Sequence, residues 1–464
     1  MIPTECHVEP CPLTELALPD TRTSEVDLRV VLVAVALLLL LPLGFSSRQR
    51  PHSERIGLPR VHSGDEPHYM IILNSLVRDY DFDLANNYSD VHQGSEQAGL
   101  IFRGKALDHH TAWRLDGKYI PWRKVFEMDG AKWNRDRRDH PVPRLAKGVS
   151  PSLLPPHEYS SHWPGLPLLL APLLFPLAGT TYLEPAAILC TWLATVLAML
   201  AFVSLARSLG ASANNTSLAV LLTFLATPLW HYGRTFFTEP YAVACILGAY
   251  ALYVGHRRAF LAGVLCAVGM LLKNTFAVMA LPLGISMILR RRWKDAAWFA
   301  TPAVVSVAVN VMFNHAFFGS FSTGPQLFES GDPVSGTVGM LFSTDHGLLL
   351  FAPIVVSGML GWPALYRARR DDAVTMACSF FGLFVLTAYS SNWHGGYCYG
   401  SRYLVPVIPF VMLGVLFRLQ ARPVRPWHYV DIVVLGLLSL WINFQGAVPY
   451  WTFFSRHPLG YLFQ

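Results

Sequence analysis

The chain has 464 residues, of which 53% are hydrophobic and only 14% are charged, with a net charge of +6 and a mean hydropathy of +0.36. A soluble domain carries roughly 25% charged residues, so this composition excludes an ordinary soluble protein and indicates an integral membrane protein. In such a protein, excess Lys and Arg reflects cytoplasmic loops, so the positive charge does not indicate nucleic-acid binding.

The first apolar run, 30–45, predicts a transmembrane helix that acts as an uncleaved signal-anchor, preceded by a cytoplasmic tail, 1–29. A long polar stretch follows, and windows such as "EMDGAKWNRDRRDH" cannot span a bilayer. The sequence therefore predicts an extracytoplasmic loop over 46–185.

From residue 186 onward, apolar runs alternate with short polar segments, which predicts a multi-span bundle over 186–446 and an extracytoplasmic tail over 447–464. The predicted spans are 30–45, 186–206, 215–231, 239–255, 259–272, 275–290, 296–313, 345–362, 373–390, 403–419 and 428–446.

The apolar segment 165–179 contains Pro172 and Pro176. The positions of the basic loop clusters decide whether this segment crosses the membrane. If it does not cross the membrane, the N-terminus and all the basic loop clusters lie on the cytoplasmic side, as the positive-inside rule requires. We therefore expect a juxtamembrane or re-entrant segment. The predicted fold class is an all-α polytopic membrane protein with about 11 transmembrane helices and a long first extracytoplasmic loop that carries juxtamembrane helices.

The stretch "GDEPHYMIIL" places two carboxylates, Asp65 and Glu66, before Pro67. Proline is favoured at the first position of a helix, so a helix is expected to begin at Pro67. Its apolar face predicts an amphipathic helix lying on the membrane, with both carboxylates at the lipid–water boundary. On spacing alone, simple helix capping is the favoured explanation of the acids, and the predicted collection of acids and histidines on one side of the membrane shifts the interpretation toward function.

Further along this loop, Asp79, Asp81 and Asp83 alternate in "RDYDFDL". Such spacing can ligate a cation through oxygen atoms, but the glycine and distal glutamate of a calcium loop are lacking. A solvated turn is the favoured interpretation.

Three charged residues at predicted outer helix ends are candidates for a site. Glu239 precedes Pro240, which is a routine capping arrangement or a further active-site carboxylate. Lys273 lies in the tight turn "LLKNTF", where it either extends to the membrane surface or holds a phosphate. Arg402 opens a span at its outer end, where positive charge is unusual.

The histidines His315, His346 and His394 are scattered in predicted outer segments, and no H-x-x-x-H or H-E-x-x-H pair falls on a predicted helix. The sequence therefore predicts no metal-ligand set. Serine-hydrolase and ATP-binding motifs are also lacking.

The order of several motifs resembles the GT-C superfamily of membrane glycosyltransferases, in particular the protein O-mannosyltransferases, the aminoarabinose transferase of lipid A and an uncharacterised bacterial branch. The motifs are "GDEPHYMIILNSLVRDYDFDL", "HWPGLPLLLAPLLFPLAG", "FFTEPYA", "LFSTDHGLLLFAP" and "GGYCYGSRYLVPVIP". The metal-dependent oligosaccharyltransferase branch carries a second acidic motif and a large C-terminal domain. Because only a short tail follows the last predicted span in this sequence, that branch is disfavoured.

The resemblance implies an inverting transferase of the plasma membrane that moves a sugar from a polyprenyl-phosphate donor to a lipid, glycan or protein acceptor outside the cytoplasm. Asp65 would be the general base, with Glu66 beside it and with partial desolvation raising the pKa of Asp65. The remaining candidates, all for substrate binding, are His68, Glu239, Lys273, His394, Arg402 and Tyr403. The resemblance requires no cofactor but leaves a divalent cation open.

Two other functions remain open at this point. A transporter or flippase of lipid-linked sugars would place polar residues within its spans, and the spans contain few, such as Asn310 and Asn443. A non-catalytic membrane subunit of a cell-envelope complex would need no acidic pair at a pocket.

Overall fold

The computed structural model describes residues 28–45, 61, 65–87, 110–115, 118–121, 126–127, 144–145, 157–322, 328–396, 398–420 and 426–450. Most of the predicted N-terminal tail, much of the predicted loop and most of the C-terminal tail lie outside the described residues. The predictions made for those segments remain predictions.

Helices make up most of the described chain. In chain order they are α1 (Leu28–Phe45), α2 (Glu66–Arg78), α3 (Gly165–Leu174), α4 (Leu183–Ser208), α5 (Ala213–Leu225), α6 (Leu229–Tyr232), α7 (Glu239–His256), α8 (Ala259–Leu272), α9 (Phe276–Leu289), α10 (Trp293–Phe318), α11 (Pro333–Phe342), α12 (Leu348–Phe351), α13 (Val355–Ala368), α14 (Arg370–Ala388), α15 (Ile408–Gln420) and α16 (Pro426–Gln445). Short 3-10 segments cover Phe175–Leu177 and Arg402–Val407, and a π-helical turn covers Gly446–Tyr450.

Among the described residues, five stretches are long and apolar enough to cross a membrane: Leu183–Ser208, Trp293–Phe318, Arg370–Ala388, Arg402–Gln420 and Tyr429–Val448. Several shorter apolar helices accompany them. Large apolar side chains such as Val304, Met312 and Leu437 are exposed along the sides of long helices, as expected for surfaces that face lipid rather than water. The predicted all-α polytopic fold class is confirmed, and the count of about eleven spans stays a prediction.

Proline interrupts three of the predicted spans. The span predicted over 215–231 is divided before Pro228, and the span over 345–362 is divided at Pro353. The span over 403–419 begins as a 3-10 segment that contains Pro406. Proline lacks the N–H that would continue the helix and its ring collides with the preceding turn, so apolar runs that look continuous in sequence become two elements.

The segment 165–179 forms the short helix α3 followed by one 3-10 turn. Ten helical residues rise about 15 Å, which is half the thickness of the hydrocarbon core. Its length is therefore consistent with a juxtamembrane or re-entrant segment.

The first loop contains strands, which the sequence analysis did not anticipate. β1 (Thr111–Leu115) lies between β2 (Lys118–Pro121) and β5 (Glu158–Ser160), and β3 (Phe126–Glu127) pairs with β4 (Arg144–Leu145). Ala112 of β1 is paired with Pro121 on one side and Tyr159 on the other, and all pairings are antiparallel. Aromatic and β-branched residues favour such strands, but the segments are too short for period-2 alternation to identify them.

Glycine allows a close helix–helix approach between α13 and α15. A Cβ atom at Gly361 would lie 1.9 Å from the carbonyl oxygen of Gly414, and one at Gly414 would lie 2.0 Å from the carbonyl oxygen of Gly358. Small residues at such contacts let helix backbones touch in a membrane, where van der Waals packing replaces the hydrophobic effect between helices. This contact fixes the helix that follows Arg402.

Replacing Gly361 with Ala is therefore expected to force α13 and α15 apart and to lower the free energy of unfolding by about 2 kcal/mol. Thermal unfolding of the purified protein in detergent measures this. The matched control is Gly436→Ala, because its new Cβ would meet only the ends of two side chains, Leu222 at 3.0 Å and Ile354 at 3.8 Å, and no backbone atom. Equal stability of both variants would contradict the proposed role of this contact.

Candidate active site

Asp65 immediately precedes α2, in the N-cap position, but its side chain makes no capping hydrogen bond. Instead, its Oδ2 atom lies 2.7 Å from Nη2 of Arg402, which belongs to a segment more than three hundred residues further along the chain. The capping interpretation therefore does not explain this carboxylate. The helix itself begins at Glu66, one residue earlier than predicted.

Glu239 is the second carboxylate of the same network. Its Oε1 atom accepts hydrogen bonds from Nε of Arg402 at 2.9 Å and from Nζ of Lys273 at 3.0 Å. The Glu239 side chain is completely buried, and 4% of the Arg402 side chain is exposed. Asp65, Glu239, Lys273 and Arg402 are called the charge quartet below.

The charge quartet contains two carboxylates and two cations, so its formal charge is zero. Charges buried in a protein interior are stable only when they are paired and hydrogen-bonded. Arg402 satisfies both carboxylates at once, since its planar guanidinium offers donors in several directions. Removing any one member would leave an uncompensated charge in a largely dry environment.

Aromatic rings surround the two cations. The guanidinium carbon of Arg402 lies 4.3 Å from the centre of the Phe237 ring and 5.6 Å from that of Tyr403, while Nζ of Lys273 lies 4.4 Å from the centre of the Tyr403 ring. Cation–π contacts of this kind stabilise a partly desolvated cation.

Hydrogen bonds from Asn310 and a close contact between helices fix the backbone of the turn that carries Lys273. Asn310 of α10 donates hydrogen bonds to the carbonyl oxygen of Met270 and to Oδ1 of Asn274, each at 3.1 Å. In addition, α3 begins against α8, where a Cβ on Gly165 would lie 1.7 Å from the carbonyl oxygen of Leu271. The position of the lysine is therefore set by neighbouring helices rather than by its own flexible stem.

Glu66 also points into the protein, but toward a different partner from that of Asp65. It is buried, and its Oε1 atom accepts a hydrogen bond from the backbone N–H of Phe236 at 2.8 Å. This bond joins the start of α2 to the segment that precedes α7 and carries Phe237. Glu66 thereby positions the aromatic ring beneath Arg402.

Burial by itself raises the pKa of Asp65, but the nearby charges outweigh burial. The Arg402 guanidinium, with His162 and His110 further away, holds the pKa of this carboxyl well below its usual value of 3.8. The expectation of a raised pKa is therefore wrong for the ion-paired state. In this state Asp65 is fully ionised and is a weak base.

The structure brings five of the predicted residues together: Asp65, Glu239, Lys273, Arg402 and Tyr403. His394 lies on the adjoining loop, where its Nδ1 accepts from the N–H of Gly396 at 3.0 Å, and the carbonyl of the intervening Gly395 faces Arg402 at 3.5 Å.

His68 faces a different cluster. Its ring stacks on those of His110 and His162, with ring centres 4.1 Å and 5.1 Å away. Neither of these two partners, nor Phe237, was predicted from sequence. The loop histidines carry no helical spacing that could have identified them.

The aspartates of the turn after α2 have structural partners. Asp79 accepts from Asn87 at 2.8 Å, Asp81 accepts from Ser75 at 3.0 Å, and Asp83 accepts from the N–H of Glu158 at 2.9 Å. Asp79 and Asp81 thus stabilise the turn itself, and Asp83 joins it to β5. This agrees with the interpretation as a turn rather than a calcium loop.

The charge quartet and the basic clusters lie at opposite ends of the helices. Glu239 begins α7, Lys273 follows the end of α8, and Arg402 begins the segment that leads into α15. At the other ends, Arg290 after α9 pairs with Asp372 near the start of α14, with its Nη2 3.0 Å from Oδ1. This separation matches the charge distribution that predicted the topology.

Comparison with known proteins finds a family model that matches part of the chain. Residues 164–389 match the model of Glycosyltransferase family 87, a segment that includes Glu239 and Lys273 but neither Asp65 nor Arg402. No curated protein matches the sequence.

Two solved structures show the same fold. Apo ArnT from Cupriavidus metallidurans is similar with a TM-score of 0.50 and 16% identity, over 88% of this chain and 62% of ArnT. The archaeal oligosaccharyltransferase AglB from Archaeoglobus fulgidus, in complex with an inhibitory peptide and a dolichol-phosphate, is similar with a TM-score of 0.50 and 10% identity, over 91% of this chain and 55% of AglB. This chain therefore spans less than two thirds of the length of either relative.

Replacing Asp65 with Asn is expected to lower the melting temperature by about 5 °C between about pH 5 and pH 8, because Arg402 loses a charged partner. A carboxyl whose pKa is depressed by folding contributes stability above its unfolded pKa, near 3.8, and this contribution is lost as the pH falls further. The difference between wild type and variant should therefore shrink below about pH 4.

Thermal unfolding across a pH series measures this difference. The control is Asp345→Asn, since Asp345 is exposed. A difference between wild type and Asp65→Asn that widens at low pH would contradict the ion-pair assignment.

Proposed function

We propose that this chain is a membrane glycosyltransferase of the GT-C superfamily and that it moves a sugar from a polyprenyl-phosphate donor to an acceptor hydroxyl outside the cytoplasm. The observation that carries the proposal is the salt bridge between Asp65 and Arg402, with Nη2 and Oδ2 2.7 Å apart. It places a carboxylate suited to proton transfer next to a cation suited to a phosphate.

The reaction needs a base and a place for developing negative charge. The acceptor oxygen attacks the anomeric carbon, the bond between that carbon and the phosphate oxygen breaks, and the polyprenyl phosphate leaves with the electron pair. Asp65 takes the proton of the acceptor hydroxyl. Attack from the face opposite the leaving group inverts the anomeric configuration.

Arg402 and Lys273 are the phosphate ligands in this proposal. A guanidinium binds phosphate oxygens through paired donors, and an ammonium adds a point charge. As the sugar–phosphate bond breaks, negative charge grows on the phosphate, so preorganised cations stabilise the transition state more than the ground state. The dolichol-phosphate in the AglB complex supports a donor of this chemical class.

Donor binding would also activate the base. The Asp65 side chain is 22% exposed, whereas that of Glu239 is fully buried, so an incoming phosphate would compete with Asp65 rather than with Glu239 for Arg402. Once released, Asp65 loses the charge that depresses its pKa and becomes a stronger base. Glu239 keeps both cations in place throughout, and Glu66 positions the start of α2.

A narrow cleft that includes His162, a residue close enough to Asp65 to affect the pKa of that carboxyl, is mostly apolar and aromatic. Its lining residues include Phe82, Tyr159, His162, Phe313 and Phe317. Such a surface suits the apolar part of a lipid-linked donor. We assign the cleft to the first isoprene units of the carrier.

The predicted topology places the quartet on the extracytoplasmic side of the plasma membrane, because the basic clusters lie at the other helix ends. The transporter alternative is less well supported. Asn310 holds the backbone of α8 and Asn443 donates to the carbonyl of Phe351 at 2.8 Å, so both act in helix packing rather than as lining of a path.

Replacing Asp65 with Asn should reduce sugar transfer about 10²- to 10⁴-fold, because the amide cannot accept the hydroxyl proton. The measurement uses purified protein in lipid nanodiscs and a panel of polyprenyl-phosphate sugars. Asp345→Asn is the matched control, since it removes an exposed carboxylate, and it should retain wild-type turnover. Full activity in a folded Asp65→Asn protein would overturn the assignment of the base.

The competition for Arg402 predicts opposite effects on binding of the product. Asp65→Asn should bind polyprenyl monophosphate about 10-fold more tightly than wild type, because the neutral side chain no longer competes with the phosphate. Arg402→Lys should bind it at least about 10-fold more weakly, because the bidentate contact is lost.

Titration of nanodisc-embedded protein with the lipid measures both effects. Arg290→Lys, at the opposite helix ends, serves as the control. Weaker binding by Asp65→Asn would contradict the competition.

A further inference from the structure

Three histidines from separate segments meet beside α2. His68 lies in the first turn of α2, His110 immediately precedes β1, and His162 follows β5. His68 and His162 are buried, and His110 is half-buried. One ring nitrogen from each residue lies within 4.8 Å of those of the other two, and Nδ1 of His110 is 2.9 Å from Nε2 of His162. These residues are called the histidine cluster.

The chemistry of the cluster favours a transition metal. Imidazole nitrogen is the preferred neutral ligand of Zn²⁺ and related ions, whereas Ca²⁺ and Mg²⁺ require oxygen. A tetrahedral zinc site with nitrogen at about 2.0–2.1 Å separates its ligand atoms by roughly 3.3 Å. The observed separations, from 2.9 Å upward to less than 4.8 Å, bracket that value.

Two other described histidines, His157 and His315, have different partners. Nδ1 of His157 lies 2.6 Å from Asp83, and the ring of His315 stacks on Phe321 with centres 3.9 Å apart. Within the part of the chain that the structure describes, the histidine cluster is the one group of three His, Cys, Asp or Glu residues whose ligand atoms converge in this way.

We propose that His68, His110 and His162 bind one ion of the zinc class, with a water molecule at the fourth coordination position. The rings of His68 and His110 are stacked with an angle of 14° between them, so binding turns these rings about the bond to Cβ until their nitrogens converge. Since the three ligands come from α2 and from one end of the antiparallel β1–β5 pair, where the start of β1 meets the end of β5, the ion joins the extracytoplasmic sheet to the helix that begins after Asp65. The sugar-transfer proposal does not depend on this site.

The experiment uses full-length protein purified in detergent and stripped of metal with a chelator. Zn²⁺ is then added, and bound zinc is counted by mass spectrometry after removal of excess metal. Co²⁺ serves as a spectroscopic probe, because tetrahedral Co²⁺ absorbs visible light much more strongly than the hydrated ion. Wild type should bind one equivalent of either metal, develop the tetrahedral Co²⁺ spectrum and gain about 5 °C in melting temperature with excess Zn²⁺.

Two variants test the ligands. His110→Ala and His162→Ala should each lose Zn²⁺ affinity by more than about 100-fold, since loss of a direct ligand costs at least as much as loss of a group that orients one. His110 is half-buried, so its variant is the one expected to fold normally, and its melting temperature in chelator should match that of wild type. The control is His256→Ala at the exposed end of α7, which should bind like wild type.

Two outcomes overturn the proposal. Wild type could bind substoichiometric metal without a tetrahedral Co²⁺ spectrum, which would make the cluster a set of hydrogen-bonded imidazoles only. Alternatively, folded His110→Ala could bind Zn²⁺ as tightly as wild type, which would place the metal elsewhere.

Discussion

A buried guanidinium requires partners, and this requirement organises the site. The Arg402 side chain is almost inaccessible to water, and it bridges Asp65 at the start of α2 and Glu239 at the start of α7. Lys273, at the end of α8, pairs with the same Glu239 oxygen. Four distant segments are therefore held at one place by charge pairing, because leaving any of these charges unpaired in a dry environment would cost several kcal/mol.

The bundle provides the frame that makes this pairing possible. Helices that alternate in direction bring Glu239, Lys273 and Arg402 to the same ends of the bundle. Close glycine contacts between α13 and α15 and the anchoring of α8 by Asn310 fix where those ends lie. Rigid helix ends are well suited to hold reacting groups, because their backbone positions do not depend on a flexible loop.

The same local sequence pattern serves two different purposes in this molecule. An acid followed by proline starts both α2 and α7, as helix-capping rules predict. At α7, the Glu239 side chain points toward Arg402 and Lys273 and joins the charge quartet. At α2, Asp65 turns toward Arg402, while the neighbouring Glu66 binds the backbone of Phe236. Local rules placed these acids at helix starts, but they did not specify which way each side chain points.

The sequence by itself determined the membrane class, the approximate bounds of the long helices, and the acidic and basic residues worth considering. These follow from apolar periodicity, from proline at helix starts and from the scarcity of charge, all of which act locally along the chain. Only the tertiary structure decided that Asp65, Glu239, Lys273 and Arg402 meet, that the pKa of Asp65 is lowered rather than raised, and that His68 joins His110 and His162. Those outcomes depend on contacts between residues far apart in sequence, and a single sequence carries no local signal for the distance between them.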